Sequence, residues 1–481
     1  MAIGRVDRFD LSPKSLCKPR GDVDDSEVGE IDNSDVTLKK LTGLLCTSEL
    51  SDLELLVGHK VFHVHKLILC MSSEVLRVML TNPKWPEFYK DRILLKEEPE
   101  CVAVFDKFLK YLYSGLVELS PESALPLLML ADKYGVTEMS QLCIEYMCAK
   151  CIPAIRKGHI VSWLRYAHLC AHQDLEKICQ DMILWNFKLV TVASDFVTMH
   201  KETLMDFLKS SDIVIHDEYV LYCAVKKWLL SQKVTCNMSM PCFQKLILET
   251  LCYIRFPFLS LPQLKVLHLD ELAQVAKQFF EEKITLGIKY HSQPADARVV
   301  FESSSRKTEH YFPRSYTSEM WNTVLVMENY SCLYQHVMRL MYFSSPVSGS
   351  IADDNIQWEW QMELYPKGVH FGQFMMIGLQ ENHMAPEAVY NMVRLSIKAE
   401  TPERKHVEMS VLVAACEGGM EYVRHVVKRR FVFDQDSAVC NFDHLIPYTE
   451  LNSDPDTSMF MTGEDKNAFK VMIIIKPLVV R

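Results

Sequence analysis

A chain of 481 residues with 49% apolar and 24% charged residues exceeds one hydrophobic core and is too apolar for extended disorder, so several folded modules are expected. Aspartate plus glutamate (62) outnumber lysine plus arginine (52), and the formal charge of -10 opposes a phosphate backbone, which argues against nucleic acid as a partner. No apolar run approaches the length of a membrane span, Val471–Ile475 being of strand length, and the N-terminus never develops the apolar stretch of a secretory leader, so no membrane contact and a cytoplasmic location are expected.

Residues 1–36 combine Pro13, Pro19 and Gly21 with Asp22, Asp24, Asp25, Glu27, Glu30, Asp32 and Asp35, and no apolar periodicity, which predicts a disordered acidic tail. Helical spacing begins with Leu38, Leu41 and Leu45. The period changes to two over Asp52–His65, predicting a hairpin turned at Gly58. Helical segments are expected over Lys66–Thr81, a strand over Arg92–Leu95, and helices over Cys101–Ser114, Pro121–Tyr134 and Val136–Cys148. Gly135 can take the left-handed conformation that separates the last two. From Ile152 to Leu286 the pattern stays helical, in amphipathic runs such as Tyr166–Trp185, Lys201–Ser210 and Asp217–Leu230. Beyond Gly287, strands are predicted over Thr323–Met327, Val337–Phe343, Gln357–Leu364, Phe371–Gly378, Val393–Lys398, Val407–Val413, Phe431–Phe433 and Lys470–Ile475, which suffices for a sandwich. In the third of these, alternation sets Trp358, Trp360 and Met362 on one face, and Glu359, Gln361 and Glu363 on the other.

Single residues point to structure more than to chemistry. Asp52 lies between a helix and a strand, where its carboxylate can accept backbone amides. Asp217 and Glu218 suit the positive end of the helix they open, and Trp228 shares an apolar face with Leu221 and Val225. His59, His63 and His65 have no thiolate or carboxylate clearly placed beside them, and Cys148-Ala-Lys-Cys151 has no second pair at zinc spacing, so no metal or other cofactor is expected. The run Lys428, Arg429, Arg430 reads as a solvated strand end. The sixteen scattered cysteines, with Cys143, Cys170, Cys179 and Cys223 on apolar helical faces, read as buried thiols of a reducing compartment. No nucleophile elbow, phosphate loop or His-Glu-x-x-His stands in the chain, and no enzymatic activity is expected.

The ordered set Ser51-Asp52-Leu53, His63 to Leu69, Ser73, Tyr111 to Gly115 and Leu130 to Tyr134 resembles a BTB/POZ domain. Leu204 to Glu218, Ala224 to Leu229 and Ile254 to Pro257 resemble a BACK domain, and Trp358 to Gly368 looks like the strand and turn of a TRAF-like (MATH) sandwich. The resemblance implies a multidomain α+β protein: an α/β BTB/POZ domain over 37–148, an all-α BACK helical domain over 151–286, and a C-terminal antiparallel β-sandwich over 296–481. It implies a homodimer through the BTB module, with Leu38, Leu41, Leu45, Leu53 and Leu55 supplying an apolar face that a monomer would leave exposed, and Asp52 in the dimer region.

Trp85-Pro86-Glu87 stands where cullin-3-binding BTB adaptors carry a large apolar residue, any residue, then Glu, which implies a ubiquitin ligase adaptor with the sandwich as reader of an unknown client. Ile152–Ala171 would extend that cullin surface. Two alternatives stay open: a BTB scaffold that never meets a cullin, and a secreted scaffold, since some members of the group begin with a leader.

Overall fold

The computed structural model describes residues 34–294, 298, 308–334, 337–350, 353, 355–368, 392–451 and 460–478. Nearly all of the expected acidic tail, and the expected strand Phe371–Gly378, lie outside them. The chain divides into two compact units, one of residues up to Lys96 together with Leu109–Val117, the other of Glu97–Phe108 and everything from Glu118 onward.

The first unit opens with α1 (Ser34–Thr47), followed by β1 (Leu53–Val57) and β2 (Lys60–Val64), an antiparallel hairpin turned at Gly58 with Leu53 opposite Val64. Next come α2 (Lys66–Ser72), α3 (Glu74–Thr81) and β3 (Arg92–Leu95), which pairs parallel to β1 and makes β1 the central strand. The helical stretch expected over Lys66–Thr81 is divided into two helices. Ser73 turns extended and its hydroxyl accepts the Leu76 amide at 3.0 Å, a cap that stops one helix and starts the next. The second half of α4 (Pro99–Ser114) completes the unit.

The second unit continues with α5 (Pro121–Tyr134), α6 (Thr137–Ala149), α7 (Cys151–Lys157), α8 (Ile160–Leu169), α9 (Gln173–Trp185), α10 (Phe187–Val192) and α11 (Lys201–Lys209). Gly135 closes α5 at φ 64°, as its position required. The two-residue strand β4 (Val214–Ile215) precedes α12 (Glu218–Thr235), α13 (Met240–Leu251), α14 (Leu261–Leu267), α15 (Glu271–Val275) and α16 (Lys277–Ser292). Helix thus persists past Gly287, where the pattern had pointed to a change.

The remaining strands are β5 (Ser315–Tyr316), β6 (Asn322–Met327), β7 (Arg339–Pro346), β8 (Gln357–Tyr365), β9 (Arg394–Ala399), β10 (Lys405–Glu417), β11 (Met420–Phe433), β12 (Val439–Phe442) and β13 (Phe469–Pro477). They form two four-stranded sheets, β11-β10-β13-β6 and β12-β9-β8-β7, while β5 pairs parallel with β4. Trp360, Met362 and Leu364 of one sheet meet Val407, Met409, Val411, Val471, Ile473 and Ile475 of the other in a common core, with Trp358 packed at its margin. Alternation in β8 is as its sequence demands.

β10 breaks the alternation, because nine consecutive positions from Val407 to Ala415 are buried or nearly so. A strand buried on both faces needs cover on both. The second cover comes from the helical region: Leu412, Val423 and Ile474 cluster with Val214, and Trp185, Val426 and Met472 pack against them.

Candidate protein-interaction site

The loop after α3 is built by short-range bonds. Asn82 ends the helix, its side-chain oxygen accepts the Lys84 amide at 3.0 Å, and its carbonyl accepts that of Trp85 at 3.0 Å. Pro86 then starts a 3-10 turn over Pro86–Tyr89, a place where its missing N–H costs nothing. Trp85 keeps 48% of its surface exposed and Tyr89 73%, with Phe88 edge-on to Tyr89 at 4.9 Å. The Glu87 carboxylate, half-buried, stands 3.6 Å from the exposed Lys90, a surface ion pair worth little. Trp85 is a solvent-facing aromatic held on a short stiff loop.

The candidate dimer residues divide. Leu38 is exposed, Leu41 and Leu45 are half-buried, and their spacing keeps them on one face of α1. Leu53 and Leu55 do not supply an exposed face: they are 3% and 0% exposed. β1 is the central strand, and its inward side belongs to the unit's own core beside Val57, Val64 and Ile93. Asp52 accepts the Lys66 amide at 2.7 Å, so the carboxylate anchors the start of α2. Both ring nitrogens of His65 are engaged, Nδ1 with the Tyr113 hydroxyl at 2.8 Å and Nε2 with the Glu49 carbonyl at 2.7 Å, while His63 lies 3.8 Å from Glu54.

Sequence reasoning missed the junction between the helical region and the sandwich. Asp217 does cap α12, accepting the Val220 amide at 2.7 Å. Glu218, however, is wholly buried, and its carboxylate accepts Arg314 Nε at 3.1 Å, the Tyr316 hydroxyl at 2.6 Å and the Arg255 amide at 2.8 Å. Arg314 spends its other nitrogens on the carbonyls of Leu208 (2.8 Å), Tyr253 (2.9 Å) and Ser210. Burial, and then the Glu218 charge, drive the Tyr316 hydroxyl well above its ordinary value. A second clamp is Asn186, whose side-chain amide donates to the Val423 carbonyl at 2.9 Å and accepts the Val423 N–H at 2.8 Å. It occupies the free side of edge strand β11 as a neighbouring strand would. The only sequence signals were an acid beside a cap and an Asn after a Trp, both common.

The Lys428-Arg429-Arg430 run is solvated at Arg429 and Arg430, which are exposed, but it stops three residues short of the strand's end. It lies inside β11, where Lys428 pairs with Asp212 at 2.6 Å and Arg430 with Glu408 at 2.7 Å. Cys143 and Cys179 are buried as expected, but Cys170 and Cys223 are exposed. On the other sheet, the outward positions Leu340 and Tyr342 of β7, Lys398 of β9 and Val439 of β12 stay exposed. One sheet is therefore covered and the other offers its outer face. No helix among the described residues is long and apolar enough to cross a membrane.

Three family models match in chain order: BTB/POZ domain over residues 41–151, BTB And C-terminal Kelch (BACK) over 160–269, and BTBD17 TRAF domain over 311–479. The chain therefore carries a BTB/POZ domain, a BACK domain and a C-terminal TRAF-like domain, in that order. It is similar to BTB/POZ domain-containing protein 17: that of Xenopus laevis is 28% identical over 313 residues, 63% of each chain, and that of Homo sapiens 33% identical over 217 residues, 44% of each. Galectin-3-binding protein of Mus musculus is 24% identical over 305 residues, 62% of this chain and 51% of its own. The match spans less than two thirds of the length of each of these relatives. Among solved structures, the BTB domain of human Gigaxonin is 24% identical, covering 25% of this chain and 98% of its own, with a TM-score of 0.21.

Proposed function

We propose that this protein is a non-catalytic, homodimeric adaptor of the cytoplasm that links client proteins to a cullin-3 ubiquitin ligase. The dimer would form on the Leu38, Leu41, Leu45 face of α1 beside Asp52. The scaffold would be met at Trp85, Pro86 and Glu87, and the client at the sandwich. The observation that carries the ligase reading is the exposure of Trp85 on a proline-stiffened turn, since an aromatic with 48% of its surface free and no charge of its own suits the centre of a desolvated contact. Glu87 would trade Lys90 for a partner's donor. A dimer carrying two sandwiches gains avidity for a client without a stronger single contact. The free thiols of the described cysteines support the reducing location.

The test is the double substitution Trp85→Ala with Glu87→Ala, titrated against the cullin-3 N-terminal region while dimer mass is followed by sedimentation. Affinity should fall at least tenfold with the dimer intact. Unchanged affinity would remove the ligase reading. A second reading, a BTB scaffold that meets no cullin, is favoured by the similarity to proteins named for galectin-3 binding. Capture of the chain from cells without any cullin would decide for it.

A further inference from the structure

Three side chains of different chemistry meet where the last turn of α5 comes beside the turn between α8 and α9: the carboxylate of Asp132, the thiol of Cys170 and the imidazole of His172, whose donor atoms all lie within 4.8 Å of one another. Sequence inspection, drawn to the hairpin histidines and to Cys148 and Cys151, had no reason to join residues from two separate helices.

The turn that brings them together is tightly made. The Ala171 N–H bonds to the His168 carbonyl at 3.4 Å and the His172 N–H to that of Ala167 at 2.9 Å, the paired closure of a Schellman helix end. Its left-handed residue is Ala171, φ 57°, where glycine would be favoured. Cys170 and His172 flank it, with His172 Nε2 at 2.8 Å from Asp132 Oδ2 and the Cys170 sulfur within 4.8 Å of the donor atoms of both. Asp132 is oriented by two further donors, the Tyr166 hydroxyl at 2.9 Å and the Ser140 hydroxyl at 2.7 Å, the kind of outer support that ligating carboxylates have. Cys170 is exposed, so an ion in solution can reach the group. Two helix C-termini, of α5 and α8, favour positive charge here, opposed in part by the start of α9.

We propose that Asp132, Cys170 and His172 bind a divalent cation of the zinc class, with water as the fourth ligand. Oxygen, nitrogen and sulfur donors on one tetrahedral zinc stand roughly 3.3–3.8 Å apart, so small rotamer changes bring these three onto one ion. On binding, the Cys170 thiol releases its proton to solvent, the imidazole proton moves from Nε2 to Nδ1, and the His172–Asp132 hydrogen bond is replaced by two coordinate bonds. The ion pins the α8–α9 turn to the end of α5.

The experiment is titration of the reduced, metal-free full chain with Co(II), reading the thiolate-to-cobalt charge-transfer absorption, followed by displacement with Zn(II). One equivalent of the band should form, disappear in Cys170→Ser, and need at least tenfold more cobalt in His172→Gln. Cys236→Ser, which removes another exposed thiol, should leave it unchanged. Absence of a stoichiometric band, or a band that survives Cys170→Ser, overturns the site. Circular dichroism of each variant, expected to be unchanged, separates loss of ligand from loss of fold.

Discussion

Glu87 and Glu218 each stand in the first turn of a helix, where an acid suits the backbone dipole. One keeps 24% of its side chain in solvent beside an exposed lysine, and the other is fully buried against Arg314, Tyr316 and the Arg255 amide. The same local preference thus yields an exchangeable surface charge in one place and a permanent joint in the other. What differs is distance along the chain: Lys90 lies three residues from Glu87, whereas Arg314 lies 96 residues from Glu218.

The sharpest way to break that comparison is Arg314→Met. It leaves the Glu218 carboxylate buried without its cation, and a loss of about 3–5 kcal/mol in urea unfolding is expected. The double variant Arg314→Met with Glu218→Leu should recover much of it, because no charge is then stranded. A single substitution costing under about 1 kcal/mol would show that water reaches the junction and that Glu218 is no more committed than Glu87.

Next in size is the contrast between Leu55 and Leu41. Leu55→Ala opens a cavity inside the first unit and should cost about 2–5 kcal/mol. Leu41→Asp, on the half-buried face of α1, should instead shift sedimentation toward monomer with a smaller loss of fold stability. If both behave alike, the face of α1 is core and not interface.

These two leucines also mark what the sequence made legible. Periods of 2 and 3.6 located β3, α5 and β8, and the alternation of Trp358, Trp360 and Met362 is seen in the sheet. Periodicity says that a side is buried, not by what. Leu53 and Leu55 share the regular inward spacing of any strand, so own-core burial and dimer burial look the same in one dimension. β10 could have been read further, since its unbroken apolar stretch Val411–Ala415 demands cover on both faces. Asn186 on the edge of β11 could not, because its partner Val423 is 237 residues away and an amide pair leaves no local pattern.

A smaller effect separates ion pairs within the sandwich. Burial alone would raise the Glu408 carboxyl, but Lys476 and Arg430 outweigh it and hold it at about 2. A folded value below the unfolded one of about 4.3 means that the pairing stabilises above that pH and is lost as pH falls toward 2. Comparing pH 6 with pH 3, Glu408→Gln should therefore lose less stability on acidification than the parent, by about 1 kcal/mol after solvent screening of the exposed Arg430 arm. An unchanged acid limb would mean that the pair is as exchangeable as Glu87 with Lys90.

The smallest effect on stability should come from Trp85, and that smallness is informative. An exposed side chain on a loop tied by its own backbone bonds contributes little to its fold, so Trp85→Ala should change the unfolding free energy by no more than about 0.5 kcal/mol. If Trp85 instead packed back on α3 in solution, the substitution would cost about 1–3 kcal/mol and lower the urea midpoint. An aromatic that keeps 48% of its surface in water is best understood as held ready for another surface. Urea unfolding of Trp85→Ala, measured before any partner is added, therefore separates an anchor awaiting a contact from a residue that has already found one.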